Sequence, residues 1–491
     1  MLEVVQDWEK RLQQGASLAS RQLYHIALEF LRPSLVSHCP DDILRARLYY
    51  EIGKIDIALG DYKQGVFHFS NALSSSHLPL DLEARCRINL AVAYRYVDYD
   101  KAYRLLTETL ENFGDQLPPA LRGALYNNLG DVQWLNGFYS EGFQSVKKSL
   151  DEFGQAGLTS LYDEVYNNLG VFCLEFGRYE EAEAYLSKVL EFNETSRLYG
   201  HAELSRLYLM RNDIQQSVHH AQKALPLVWS SVMNNAKHEV SRLCRLLALL
   251  VHRMGEYTMA LRLLEKSQLL FGQLEMWREW QQVQAEMDDW LQSEDTPRRP
   301  QPGLEGVRLD EIQQFLMLLE VMNAQELLTP KFAALLDTRV LYARAFANFL
   351  GIGPKATEDI VYACRFADYG LTAIEPEVLA NPTRSSHAWE QYQQHPLLSV
   401  KMLDSLQLPR AVLAIIEDHH EHPDGSGYPR GKQESEINPM SQILAIADYY
   451  STEVTVRGKP HSVAISEIEN LAGTHFTPEL VNAFTSMFTH E

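Results

Sequence analysis

One order of residues returns again and again along the N-terminal part of the chain, and it constrains the fold more than any single motif does. It reads Tyr49-Tyr50, Ile52-Gly53, Gly60-Asp61-Tyr62, Gly65, Phe69 and Ala72 in one copy. A second runs Tyr126, Leu129-Gly130, Gly137-Phe138-Tyr139, Gly142 and Val146, and a third Tyr166, Leu169-Gly170, Gly177-Arg178-Tyr179, Ala182 and Leu186. Weaker copies pass through Leu90-Ala91, Tyr94 and Ala102, through Leu204-Ser205, Tyr208 and Ala221, and through Gly255-Glu256-Tyr257, Ala260 and Leu264. Self-similarity of this kind marks stacked units, none of which can bury its apolar face alone. Small residues let paired helices approach, and aromatic residues fill the space between pairs.

The pattern resembles the tetratricopeptide repeat, with six copies and a capping helix pair expected in the first 45 residues. The step from Gly130 to Gly170 is 40 positions (170 − 130), longer than the roughly 34 of the standard repeat, so its helices or turns should be extended. Such a solenoid offers a concave groove for a protein or peptide partner, although the fold alone names no ligand. His219-His220 lies within it on a helix, with no carboxylate or Gly-rich loop beside it. It is expected to be a solvated face.

A length of 491 residues calls for two or three domains. With 65 acidic against 44 basic side chains the net charge is −21, which disfavours nucleic acid and anionic membrane surfaces as partners. Five scattered cysteines without CxxC spacing suggest neither a disulfide framework nor a thiolate zinc site, and fit a reducing cytoplasm. No apolar run approaches the roughly 20 residues of a membrane span, so no insertion is expected. The stretch Ser293-Glu294-Asp295-Thr296-Pro297-Arg298-Arg299-Pro300-Gln301-Pro302-Gly303 can neither continue a helix nor bury an apolar face. The expected organisation is a repeat domain over 1–292, a linker over 293–303 and a second domain over 304–491. Helical spacing of Ile312, Phe315, Leu316 and Leu319, and of Leu398, Met402 and Leu403, makes the second domain helical and the whole chain all-α.

The densest chemistry is His419-His420-Glu421-His422-Pro423-Asp424-Gly425-Ser426-Gly427-Tyr428-Pro429. Adjacent imidazoles, a carboxylate and a Gly-Pro turn are what a metallohydrolase needs to hold a cation beside a phosphate-sized ligand. The stretch resembles the HHExxDGxGYP signature of the HD-GYP family of bacterial cyclic di-GMP phosphodiesterases, and every fixed position is present. The resemblance runs from about residue 306 to 488. It implies a helical HD-type fold and a metal-dependent phosphodiesterase site, with Glu421, Asp424, Gly425, Gly427, Tyr428 and Pro429 forming the signature loop and Tyr428 and Pro429 shaping a pocket wall.

The rest of that family's site is altered here. Where the family has LHDIGKIGI, this chain has Phe366-Ala367-Asp368-Tyr369-Gly370-Leu371-Thr372-Ala373-Ile374, so Ala367 replaces a histidine and Asp368 survives. An earlier histidine is missing too, since none lies between His252 and His387, and Leu335 or Leu336 stands roughly in its place. His395-Pro396, His419-His420 and Ala447-Asp448-Tyr449-Tyr450 match. By the family's division of ligands, one cation keeps Asp368, His395, His419 and His420, while its neighbour keeps only the carboxylates Asp368 and Asp448.

Three imidazoles and a carboxylate suit one iron, manganese or zinc ion, so a single divalent cation per chain is expected. Arg457 and Lys459, in Arg457-Gly458-Lys459-Pro460-His461, stand where the family carries basic ligand contacts, and either could hold an anion. The leading expectation is a bacterial signalling protein whose altered HD-GYP domain binds a metal and cyclic di-GMP with weak or no hydrolysis, the repeats engaging a partner protein. An active metal-dependent phosphodiesterase and a purely structural adaptor are the alternatives.

Overall fold

The computed structural model describes residues 2–233, 237–274, 276–292, 308–328 and 332–489, and divides into two compact units that part between Arg308 and Leu309. The linker expected at 293–303 lies outside the described residues. The described residues are helical with no strand, showing only the isolated bridges Asp424↔Gln433 and Ala472↔Phe476. Among them no helix is long and apolar enough to cross a membrane.

The first unit is a series of antiparallel helix pairs. The copies read from the sequence fall on Asp42–Ala58 with Tyr62–Leu73, Leu80–Arg95 with Tyr99–Phe113, and Pro119–Leu135 with Tyr139–Gln155. They continue on Tyr162–Glu175 with Tyr179–Val189, Glu194–Met210 with Ile214–Met233, and Lys237–Arg253 with Tyr257–Gln273. Leu2–Ser20 with Tyr24–Leu31 precede them, and Trp277–Gln292 follows. The repeated Gly-x-Tyr marks the turn of each pair: Gly60, Gly137, Gly177 and Gly255 all have positive φ, the left-handed conformation that ends a helix at least cost in glycine. In the weaker copy at Leu204 the same place is taken by Asn212, φ 58°, the next most tolerant residue. The Leu-Gly position is a contact point. A Cβ on Gly130 would lie 2.3 Å from Val146 Cγ2, so only hydrogen lets these helices meet.

The second unit has ten helices among the described residues: α1 (Leu309–Glu326), α2 (Phe332–Phe349), α3 (Pro354–Phe366), α4 (Pro376–Ala380), α5 (Ser386–Tyr392), α6 (His395–Met402), α7 (Arg410–Asp418), α8 (Pro439–Ser451), α9 (His461–Asn470) and α10 (Pro478–Thr489). Its aromatic core joins α2, α8 and α10. Tyr342 and Tyr450 rings lie 4.6 Å apart, Phe346 and Phe484 5.0 Å, and Tyr450 and Phe484 5.7 Å. Packing of this density fixes α2 and α8 against each other and so fixes the polar residues they carry one turn away.

Candidate metal centre

Four side chains from three places converge in the second unit. Asp368 follows the C-terminus of α3, His395 opens α6, and His419 and His420 follow the C-terminus of α7. One ligand atom from each of the four lies within 4.8 Å of the others. Two metal bonds of about 2.0–2.2 Å span up to roughly 4.4 Å, so the group is close to the size that a single ion needs.

Hydrogen bonding at the far side of two rings sets the direction of their lone pairs. His395 Nδ1 lies 2.9 Å from the Tyr392 carbonyl and His419 Nδ1 lies 2.6 Å from that of Ile416. A carbonyl oxygen only accepts, so each Nδ1 is the protonated donor and each Nε2 carries the lone pair. These Nε2 atoms lie 3.6 and 3.9 Å from Asp368 Oδ1. Both are buried without a hydrogen-bond partner, which is costly for an acceptor unless something else takes the lone pair. His420 completes the group, its ring 4.0 Å from that of His419 and 5.0 Å from that of His395.

The electrostatics fit this arrangement. Burial holds the His395 imidazole down at about 4 and pushes those of His419 and His420 below their ordinary value, with neighbouring rings adding to the effect at His395 and His420. All three are therefore neutral near pH 7, the state in which imidazole ligates. Burial works against the Asp368 carboxylate, yet the Arg339 guanidinium and the His395 and His419 rings bring it down to about 2. The donor set is three neutral nitrogens and one ionised oxygen, a combination suited to iron, manganese or zinc.

Asp448, expected with Asp368 at a neighbouring position, lies outside the four-residue group; its Oδ1 accepts a 2.7 Å hydrogen bond from Arg339 Nη1, which also donates to Asp368 Oδ2 at 2.7 Å. Arg339 Nη2 donates to the Cys364 carbonyl at 2.5 Å, and the side chain is fully buried. Burial raises the Asp448 carboxyl, and the negative charge of Asp368 adds to this against the pull of Arg339. Arg339 was missed from the sequence. Leu335 and Leu336, expected at the place of the lost early histidine, pack with Phe332 in an apolar cluster, and the residue of α2 that reaches the carboxylates is Arg339, one turn beyond Leu335 on the same face. The available signal was a cation set among Leu335, Leu336, Val340, Tyr342, Ala343 and Phe346, all of them buried, and Arg344 on the same helix made it ambiguous.

The signature loop is held by its own residues. The Glu421 carboxylate, fully buried, accepts the backbone N–H of Arg430 at 2.7 Å and of Lys432 at 2.8 Å, so it shapes the loop and is not a free acid or base. Asp424 accepts from Ser426 N at 2.9 Å and Ser426 Oγ at 2.6 Å, a turn completed by Gly425 at φ 82°. A Cβ on Gly427 would fall 2.3 Å from His422 N and 2.6 Å from the His420 carbonyl oxygen. Tyr428 follows, its N–H bonded to the His420 carbonyl at 3.0 Å and its ring 4.7 Å from that of His420 and 5.7 Å from that of Trp389. Tyr428 thus forms a wall beside the histidines.

Arg457 and Lys459, expected as anion contacts, each pair with a carboxylate. Arg457 Nη1 lies 2.5 Å from Glu453, and Lys459 Nζ lies 2.6 Å from Glu453 and 2.7 Å from Glu467. Glu453 is buried, and a buried carboxylate draws the nearest cations.

Comparison with known proteins follows the same division of the chain. An HD domain model matches residues 322–480 and a tetratricopeptide repeat model matches residues 163–196. A cyclic di-GMP phosphodiesterase of Thermotoga maritima is 33% identical over 148 residues, which are 29% of this chain and 40% of that protein. The 3'3'-cGAMP-specific phosphodiesterase 2 of Vibrio cholerae is 28% identical over 172 residues, 34% of this chain and 33% of its own. Among solved structures, an HDG"Y"P protein from Bdellovibrio bacteriovorus is 15% identical with a TM-score of 0.29, covering 44% of this chain and 81% of that one. The chain spans less than half the length of these two curated relatives. It joins tetratricopeptide repeats to an HD domain similar to those of the HD-GYP cyclic di-GMP phosphodiesterases.

Proposed function

We propose that the HD domain holds one divalent ion, iron, manganese or zinc, on Asp368, His395, His419 and His420, and binds a cyclic dinucleotide of the cyclic di-GMP class with slow hydrolysis or none. The repeats engage a protein or peptide partner, and the chain acts in the cytoplasm. One observation carries the metal reading: two buried imidazole lone pairs, unpartnered, face one oxygen of an ionised carboxylate. When bound, an ion there would supply a Lewis acid for a phosphoryl oxygen and lower the pKa of water.

The chain's own residues do the rest. The carbonyls of Tyr392 and Ile416 orient two rings, Glu421 holds the signature loop in place, and Tyr428 with Trp389 offers an aromatic surface on which a base can stack. The relatives' names include both cyclic di-GMP and 3'3'-cGAMP, which makes the shared cyclic dinucleotide the reasonable ligand class. Slow turnover follows from the engagement of Asp448 with Arg339, because in-line cleavage by two ions uses one for the attacking oxygen and both for the charge that develops. Losing one such ion costs several powers of ten in rate.

The intact signature loop favours a second reading, a working phosphodiesterase with a single ion. Calorimetric titration of the manganese-loaded full chain with cyclic di-GMP and with 3'3'-cGAMP, beside chromatographic detection of linear product, separates the two. Binding without product supports the first reading and rapid product formation the second, while no binding of either nucleotide contradicts both.

A further inference from the structure

We propose that Arg339 is a resident cation closing a second metal position, one formed by Asp368 and Asp448, and that it thereby limits the centre to a single ion. The proposal rests on the function above only for the identity of the neighbouring ion. Asp368 is used on both sides: Oδ1 faces the lone pairs of His395 and His419, whereas Oδ2 meets Arg339. The same Nη1 that bonds Oδ2 also bonds Asp448 Oδ1, at 2.7 Å in each case. A buried and a partly buried carboxylate therefore meet at one point, directly beside a group of metal-ligating type.

Two such carboxylates require a positive charge between them, which either a metal ion or a side chain can supply. Arginine is suited to the task because it stays charged at any working pH and its planar fork reaches several acceptors at once. Here α2 delivers it, Asp368 and Asp448 hold one nitrogen, and the Cys364 carbonyl holds the other. The guanidinium offsets one of the two negative charges, where a divalent ion would offset both. The guanidinium also has no vacant coordination position, so it cannot take up a substrate oxygen or activate water as a metal does. An ion could enter only by displacing a buried, tethered cation from its partners. The two carboxylates accordingly keep a cationic partner whether or not metal is present.

The test is the metal content of the full chain and its Arg339→His variant, measured by elemental analysis after equilibration with manganese and removal of free ion. Arg339→His frees both carboxylates and places an imidazole on the same face of α2, giving a position with three donors. The expected result is one more ion per chain than in the wild type. Under the single-ion reading that is about a twofold rise, and a wild type that binds none would sink that reading while leaving this difference to be read. Equal metal content in the two proteins, or two ions in the wild type, would overturn the proposal. Arg339→Gln tests the charge role independently, through thermal unfolding in chelator and in manganese. It should melt below the wild type in chelator and gain more than the wild type from manganese, whereas equal melting in chelator would count against the proposal. Arg339→Lys keeps the charge and should keep the wild-type metal content.

Discussion

Two His-His pairs lie in this chain, one in the solenoid and one in the HD domain, and they differ in what holds the far nitrogen of each ring. In the solenoid His219 is exposed, and His220 is half-buried with its Nδ1 3.0 Å from His201 Nδ1 and its ring stacked on Tyr208. One ring there must donate to the other, so a lone pair is consumed within the pair. His220 is thus less solvated than its sequence suggested. In the HD domain the His419 ring donates backward to a backbone carbonyl, as does that of His395, and the free lone pairs face a shared carboxylate. Readiness to ligate is a property of the surrounding hydrogen bonds, not of the dipeptide.

The sharpest way to break this contrast is by substitution. His419→Ala should reduce metal affinity by more than the roughly 10–100-fold that loss of an outer-shell partner costs, and His220→Ala should leave metal content unchanged. Elemental analysis of both variants reads the result, and equal losses would erase the distinction.

A second contrast concerns ion pairs. Asp368→Asn leaves the fully buried Arg339 with one carboxylate in place of two and should cost about 2 kcal/mol, less than the about 3–5 kcal/mol of a buried pair broken outright. In the solenoid, Glu152→Gln disturbs a partly exposed pair with Arg122 and should cost no more than about 1 kcal/mol. Urea denaturation measures both, and similar costs would show that the Arg339 site is not sealed from water.

Acid sharpens the picture of the solenoid histidines. Burial, followed by the neighbouring rings, lowers both His201 and His220 to about 4 from the ordinary 6.5. The unfolded chain therefore takes up protons first, so stability present above pH 6.5 is lost as the pH falls toward 4. Each half-buried ring should contribute about 1 kcal/mol or less after solvent screening. Replacing both with glutamine should flatten the stability profile in that window, and an unchanged slope would assign the acid loss elsewhere. The smallest effect belongs to Arg457→Ala, within about 0.5 kcal/mol, since Lys459 still neutralises Glu453 and the metal group is untouched.

The repeats were legible because their marker residues have backbone roles: Gly-x-Tyr is a left-handed turn followed by a helix start, and Leu-Gly is a close helix contact. The copy at Leu204 was faint because Asn212 does the work of a glycine. In the HD domain the histidines and Asp368 could be picked out because a dense local signature directs attention to them. Arg339 could not be found by looking for imidazoles, since it pairs with two carboxylates without being a metal ligand. The pairing of Arg457 and Lys459 with carboxylates was hidden for a related reason. Their charge was visible, but the burial of Glu453, four positions before Arg457, depends on tertiary packing that no local pattern reports.

On the proposed function, Asp368, His395, His419 and His420 hold one ion by nitrogen and oxygen donors. X-ray absorption at the metal edge of the loaded full chain tests it most directly. The expected spectrum has a light-atom shell at about 2.0–2.2 Å with imidazole scattering and no metal neighbour. Sulfur in the first shell, or a second metal at about 3.5–4 Å, would contradict it.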